Sequence, residues 1–490
     1  MISRHALVFG IGVALAGSAA AQPAGHRTTP PPGKPASARS GGPGSGGPRT
    51  LTGALAATYA NQPALQAERA KLRATDENLP TALAGWRPTV VLAGTAGYGD
   101  GVSRSYNVLI PGWQKLPTER DIATAQATVT QPIYNGGRTQ ANVNRAKDQV
   151  MAERASLIAQ EQTSFTNTVN AYVGVIQAQD LLALNINNEQ VLAKQLQATN
   201  DRFRVGEITR TDVAQAEAAL AGATAQRQTA EGNLATARAT FVQIVGYDPP
   251  RNLIEPQPLA LPVRAEHEAT VMASTNNPNV VAAQFNDSAA KDAVDVAFSQ
   301  LMPQVSLQGQ TFDQENSGGR SNEGTGYQVV AQVSVPLYQG GAEYSAVRQA
   351  KQSEQQTARL VADAQRTAVQ AAVQSWETLA AATSAAASTR SQIRADEVAL
   401  EGVEREAIVG SRTTLDVLNA QQALLNSRVT LVQNLAQLVT ASYQVAAAIG
   451  RLTARDLRLP VPLYDDTAYY NAVKNKWFGL GDYATGQPGR

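Results

Sequence analysis

The sequence predicts a mainly α-helical protein with some β-structure, built as two copies of one unit of two strands plus a long helical hairpin. Three observations carry that prediction. Proline is absent from residues 133–248 and 337–459 but frequent elsewhere. An interior proline costs a helix about 3 kcal/mol, so Pro-free spans of this length read as long helices. The two spans align without a gap: Pro132 with Pro336, Gly136-Gly137 with Gly340-Gly341, Asp212-Val213 with Asp416-Val417, and Gly246 with Gly450, each 204 positions apart (336 minus 132 for the prolines). Glycine, proline and aspartate held at one offset mark an internal duplication rather than chance matching of alanine-rich stretches. Each double glycine also follows a stretch in which apolar and polar residues alternate, the period of a strand.

In chain order, residues 1–21 read as a cleaved export signal. Arg4 and His5 start it, Ala6 to Ala16 form the apolar run, and Ala19 and Ala21 give the small-residue cleavage pattern. That run is too short to span a bilayer. Residues 22–50 are rich in Pro, Gly and Ser and read as a flexible leader. The first repeat covers 51–255, with strands at about 89–98 and 122–131 and a helical hairpin over 138–246. The second covers 256–460, with strands at about 304–312 and 327–335 and a hairpin over 342–450. The Pro-rich stretch 249–275 reads as the crossover between repeats, and 461–490 is a C-terminal tail.

Inside the first helical span, Phe165, Val169, Tyr172 and Ile176 step by four, three and four, the seam spacing of packed helices. Each span contains a turn, "VGEITRTD" from Val205 and "VGSRTTLD" from Val409. Gly206 and Gly410 end one helix as C′ residues, and the Thr and Asp that follow can start the next. Val429–Gly450 carries no charge, but Gln433, Asn434, Gln437 and Gln444 interrupt it, so it reads as a buried seam rather than a membrane helix.

The strand before each hinge has one apolar and one polar face. Ala123, Ala125, Ala127 and Val129 alternate with threonines and Gln126, and Val329, Ala331, Val333 and Val335 form the second apolar set. Such strands suit a barrel wall between lipid and water, although a soluble two-faced sheet shows the same alternation. At the hinges, Pro132 and Pro336 are expected to stop the strand ladder. Gly136, Gly137, Gly340 and Gly341 then allow the sharp turn into a helix. Four strands cannot close a membrane barrel, which takes at least about eight, so a barrel has to be shared between two or three chains. The segments 99–120 and 313–326 are expected to be tip loops. The former is longer by 11 positions, counted between the flanking prolines (44 from Pro88 to Pro132 against 33 from Pro303 to Pro336).

The paired "PIYNGG" and "PLYQGG" hinges and the paired "VG…T.D" turns resemble the TolC family of outer-membrane efflux and secretion ducts, over about residues 50–459. The resemblance implies a homotrimer with a twelve-stranded β-barrel in outer-membrane lipid, continuous with an α-helical barrel crossing the periplasm. It implies passive export of drugs or, in type I secretion, of proteins. Its partners would be a periplasmic adaptor (membrane fusion) protein and an inner-membrane pump or ABC transporter. The tail would lie near an equatorial belt. The helix turns would close the tunnel at a periplasmic gate of Thr211, Asp212 and Arg412, with Asp416 in an acidic ring. Two positions depart from the family: Ala407 stands where the gate tyrosine falls, and Asn419 where a second ring aspartate falls. Read from the residues alone, Asp212 and Asp416 also suit ordinary helix N-terminal positions.

Composition excludes much other chemistry. The net charge is +1, which gives no field for nucleic acid, and the absence of cysteine rules out disulfides, thiolate metal sites and N-terminal lipidation on cysteine. The three histidines, His5, His26 and His267, make no metal cluster, and no nucleophile elbow or phosphate loop occurs. No enzyme activity and no cofactor are expected. A periplasmic coiled-coil scaffold that conducts nothing is the alternative reading.

Overall fold

The computed structural model describes residues 47–317 and 321–481. The export signal, the leader up to residue 46, Gly318 in the second tip and the last nine residues of the tail lie outside the described residues.

Each repeat opens with short helices. In the first they are α1 (Leu51–Asn61), α2 (Pro63–Asp76) and α3 (Asn78–Leu83), leading to strand β1 (Thr89–Gly99). Hairpin β2 (Val102–Asn107) and β3 (Gly112–Pro117) follows, then β4 (Arg120–Asn135). Helix α4 (Arg138–Arg204) and helix α5 (Arg210–Val245) form the first long hairpin. The second repeat runs through α6 (Glu266–Asn276), α7 (Pro278–Phe298), β5 (Gln304–Glu315), β6 (Glu323–Ser334), α8 (Ala342–Ile408) and α9 (Thr414–Ala448). Helix α10 (Ala468–Val473) belongs to the tail. Helices α4 and α8 have 67 residues each, a length of about 100 Å at ~1.5 Å per residue.

The duplication extends further than the sequence suggested. Before the strands the two repeats match at an offset of 215 (Pro63 with Pro278, Pro88 with Pro303), and after them at 204. The difference of 11 is absorbed by the β2–β3 hairpin. The segment 99–120, expected as a loop, is therefore mostly a second hairpin, and it forms its own two-stranded sheet. The crossover is irregular only as far as 265, because α6 starts at Glu266.

One four-stranded antiparallel sheet joins the repeats in the order β1-β4-β5-β6. Its register sorts the side chains by face. Val90, Val129, Gly309 and Val329 lie in one row across all four strands, and Leu92, Ala127, Thr311 and Tyr327 in another on the same side. The opposite face carries Thr95 against Thr124, with hydroxyls 2.6 Å apart, and Gln328 Nε2 donating to Gln310 Oε1 at 2.7 Å. The valines and leucines of the first face are exposed in the single chain. Strands β1 and β6 each keep one edge without a strand partner among the described residues.

The hinges differ from expectation at Pro132. Strand β4 runs through it to Asn135, with a register shift between Pro132 and Tyr134 that leaves Ile133 bulged. Pairing with β1 stops at Thr130, so β4 is already an edge at Pro132. There the missing N–H is tolerated. Pro336 does follow a strand end, at Ser334. The turn into each long helix is made by the glycines, with φ of 66° and 85° at Gly136 and Gly137 and 73° and 87° at Gly340 and Gly341. The two hinges are unequally crowded. A Cβ on Gly136 would lie 2.5 Å from Met302 Cβ and 2.7 Å from the Ser299 carbonyl oxygen, whereas one on Gly340 meets nothing within 4 Å. Left-handed backbone costs an L-residue roughly 1–2 kcal/mol. Gly340→Ala is therefore expected to destabilise by about that amount and Gly136→Ala by clearly more, since the Ser299 oxygen is backbone and must shift. Thermal unfolding of the two variants checks the order.

The main core forms a belt around the middle of α4. Phe165, Val169 and Tyr172 are buried against Leu55 and Tyr59 of α1, Phe241 and Val245 of α5, and Val439 and Tyr443 of α9. Each such side chain contributes about 1.5–3 kcal/mol by leaving water. The Tyr172 hydroxyl lies 2.6 Å from the Arg49 carbonyl oxygen and 2.8 Å from that of Ile254, tying both the start of the fold and the crossover to α4. Helix α7 meets the end of α9, where Asn277 Nδ2 donates to the Ala448 carbonyl at 3.0 Å.

The tail starts at the belt and climbs along α2. Tyr464 N donates to the Tyr59 hydroxyl at 3.0 Å, and the buried Arg69 guanidinium stacks over both rings. Further on, Arg154 reaches Asp466 at 3.5 Å and Tyr469 donates to Glu77 at 2.7 Å. Beside this strap Asp76 is 1% exposed, and neither carboxylate oxygen has a hydrogen-bond partner. Burial pushes its carboxyl up to about 7; Asp466 and Glu77 add to the rise, and Arg154 and Arg73 oppose it. The unfolded chain releases that proton near pH 3.9. Between those values the folded state binds the extra proton, so stability falls as pH rises toward 7 and is flat above it. Asp76→Asn is expected to remove this slope and to raise stability at pH 8 more than at pH 5, as read by melting temperature.

Candidate functional site

The two turns between the long helices share one local design. In the first, Gly206 N donates to the Phe203 carbonyl and Glu207 N to that of Arg202; in the second, Gly410 N bonds Ala407 and Ser411 N bonds Glu406. These paired bonds close each helix in a Schellman motif, which requires a left-handed residue at C′. Gly206 and Gly410 have φ of 80° and 81°. The next helix begins three residues later with a reciprocal capping box. The Thr209 hydroxyl accepts from Asp212 N at 3.3 Å while Asp212 Oδ2 accepts from Thr209 N at 2.9 Å. Thr413 and Asp416 repeat this at 3.2 and 2.9 Å.

Both aspartates are held ionised. The Thr209 hydroxyl and backbone N–H keep Asp212 below the usual carboxylate range. For Asp416 the Thr413 N–H contributes most and its hydroxyl adds to it. Asp416 is partly exposed, so its charge can reach solvent while its oxygens cap the helix. The two roles are compatible in one side chain.

Within one chain Arg412 does not meet Thr211 or Asp212. Its Nε donates to Glu406 Oε2 at 2.8 Å, and its other charged neighbour is Asp416. Thr211 is exposed on the first turn of α5. Glu406 was not singled out from the sequence, yet it has a counterpart of opposite sign. At the equivalent position of the first repeat stands Arg202, which pairs with Glu207 at 2.6 Å. One turn is thus braced by Arg-to-Glu and the other by Glu-to-Arg. A like-charge clash across an i, i+5 or i, i+6 spacing could have been checked in the sequence, and its avoidance was the available signal. Near the turns the two hairpins lie side by side: Leu418 and Gln421 of α9 border a cavity of about 190 Å³ with Leu192 of α4 and Ala223 of α5. Ala407 is buried.

Among the described residues no helix is long and apolar enough to cross a membrane, and no group of His, Asp or Glu could hold a metal ion. A two-faced sheet with open edges is set on helices far longer than a globular core uses. The chain matches the family described as "Outer membrane efflux protein" over residues 55–247 and 270–451. It is 35% identical over 433 residues to the outer membrane efflux protein BepC of Brucella suis, covering 88% of this chain and 92% of that one. It is 24% identical to the outer membrane protein TolC of Vibrio cholerae, over 81% of this chain and 90% of that protein. Its fold is that of the outer membrane protein VceC of Vibrio cholerae, with a TM-score of 0.69 at 21% identity and 82% and 96% of the two chains covered. The chain belongs to the outer membrane efflux protein family. It is an outer-membrane channel protein of the efflux and secretion class, reaching into the periplasm, and not an enzyme.

Proposed function

We propose that three copies form a passive exit duct, with a twelve-stranded barrel in the outer membrane and a helical tunnel closed at its periplasmic tip by the two turns. The observation that carries this reading is the four-stranded sheet with an apolar face and two open edges. In lipid, unpaired edge groups cost several kcal/mol each, and pairing β1 of one copy with β6 of the next removes them. At the tip, Arg412 exchanges Glu406 for Thr211 and Asp212 of a neighbouring turn, and three Asp416 carboxylates ring the passage. With Ala407 and Asn419 in place of a tyrosine and a second aspartate, this gate has fewer bonds and half the ring charge of the family pattern.

Cargo reaches the tunnel from an inner-membrane pump or ABC transporter through a periplasmic adaptor protein. The exported material is drugs, a secreted protein, or both. A strain lacking the gene is expected to become sensitive to drugs, to lose a secreted protein, or both, with restoration by the wild-type chain. No change in either property counts against the duct and favours the non-conducting scaffold.

A further inference from the structure

The described part of the tail closes on an exposed apolar run that nothing in the channel reading uses. Trp477, Phe478 and Leu480 are 66%, 91% and 107% exposed. Their position is set by Arg87, which donates from Nη1 to the Lys476 carbonyl at 2.6 Å and lies 4.9 Å from the centre of the Trp477 ring. Arg87 stands two residues before Thr89, the first residue of β1. The tail therefore delivers its aromatics to the level where the sheet begins.

Other exposed aromatic and apolar side chains crowd that level. Trp86 precedes β1, and its carbonyl accepts from Gln131 Nε2 at 2.9 Å. Ile133 and Tyr134 close β4, and Leu337 and Tyr338 follow β6; all are exposed. Trp and Tyr concentrate at membrane–water interfaces, where an apolar ring and a polar edge are both satisfied. Lys474 and Lys476 precede the tail aromatics on the chain.

We propose that Trp477, Phe478 and Leu480 form an interfacial lipid anchor, inserting at the headgroup–acyl boundary of the periplasmic leaflet and continuing the aromatic girdle at the base of the sheet. The occupant of this surface is phospholipid. The anchor fixes the upper end of the strap, whose lower end is held at the belt by Tyr464 and Arg69. The inference rests on the sheet being the membrane wall, so the test carries a control for that.

The absence of cysteine makes single labelling sites clean. Phe478→Cys, Val333→Cys and Asn471→Cys are each labelled with an environment-sensitive dye on the full-length protein. The samples are reconstituted in phosphatidylethanolamine–phosphatidylglycerol vesicles with or without brominated acyl chains. Expected are strong bromolipid quenching at Val333, quenching at Phe478 by shallow bromines with protection from aqueous iodide, and the reverse at the exposed Asn471. If Val333 is quenched but Phe478 is as open to iodide as Asn471, the anchor is wrong. If the Phe478 dye is shielded from both quenchers, the tail packs on protein, and the inference also fails. A Val333 dye that bromolipid does not reach overturns the membrane wall itself, and the anchor with it.

Discussion

Val333→Arg is expected to deplete assembled protein from the outer membrane, while Gln332→Arg leaves it near the wild-type level. The two residues are neighbours on β6 but face opposite ways. Val333 pairs with Val305 on the face that carries Val329, and Gln332 pairs with Ser306 on the face that carries Gln328. Val333 is among the exposed large apolar residues of the single chain, a surface that water does not favour and lipid does. Arginine at a lipid-facing site costs up to about 1 kcal/mol near the interface, where Val333 lies one residue from the end of β6, and roughly 2–4 kcal/mol at the middle of the bilayer, against far less where it faces water. In a shared barrel each copy adds that cost. Outer-membrane fractions run without boiling, so that a heat-resistant trimer survives, give the readout. Equal trimer levels for the two variants count against the barrel wall.

Arg412→Ser is expected to raise single-channel conductance severalfold, with trimer assembly unchanged. The side chain is exposed and braced by Glu406 within its own chain, so its loss leaves both the Schellman turn and the Thr413–Asp416 capping box intact. What it removes is a donor able to bridge neighbouring turns, and threefold repetition multiplies that loss. Asp416 is separable. Asp416→Asn can still accept from Thr413 N and keep the cap, but it deletes the ring charge, so cation selectivity should fall without loss of the trimer. The carboxyl is held below its ordinary value by the Thr413 N–H and hydroxyl. A group with a depressed value stays ionised as pH falls through its unfolded value of about 3.9. Those hydrogen bonds therefore shift the loss of selectivity in the wild type to lower pH, while the mutual repulsion of three carboxylates shifts it to higher pH. If Asp416→Asn leaves selectivity unchanged, the residue acts only as a cap.

The features legible in the sequence were those that leave a double imprint. Gly136-Gly137 and Gly340-Gly341 take left-handed angles that disfavour other residues, so the same signature had to occur twice. The turns were readable because a C′ glycine followed by Thr-x-x-Asp is a local motif needing no tertiary context. Helices α1–α3, α6 and α7 lie outside the Pro-free spans, so the spacing of prolines carries no sign of them. Pro63 and Pro278 sit at the first helical position, where a missing N–H costs nothing. The continuation of β4 through Pro132 depended on β1 beginning at Thr89, opposite Thr130, a fact of pairing that no local pattern contains. The Arg202–Glu207 and Glu406–Arg412 braces had no signature beyond opposite charge. The strap was equally hidden, since Arg87 and Trp477 are brought together only by the fold.

The central claim is that this chain conducts through a tunnel that its own copies enclose and its turns restrict. Single-channel recording of the purified, heat-resistant trimer in a planar lipid bilayer tests it most directly. The account expects discrete, long-lived, cation-selective steps of low conductance in the wild type, which become larger in Arg412→Ser. A properly assembled trimer that inserts into the bilayer and carries no current in either form contradicts it.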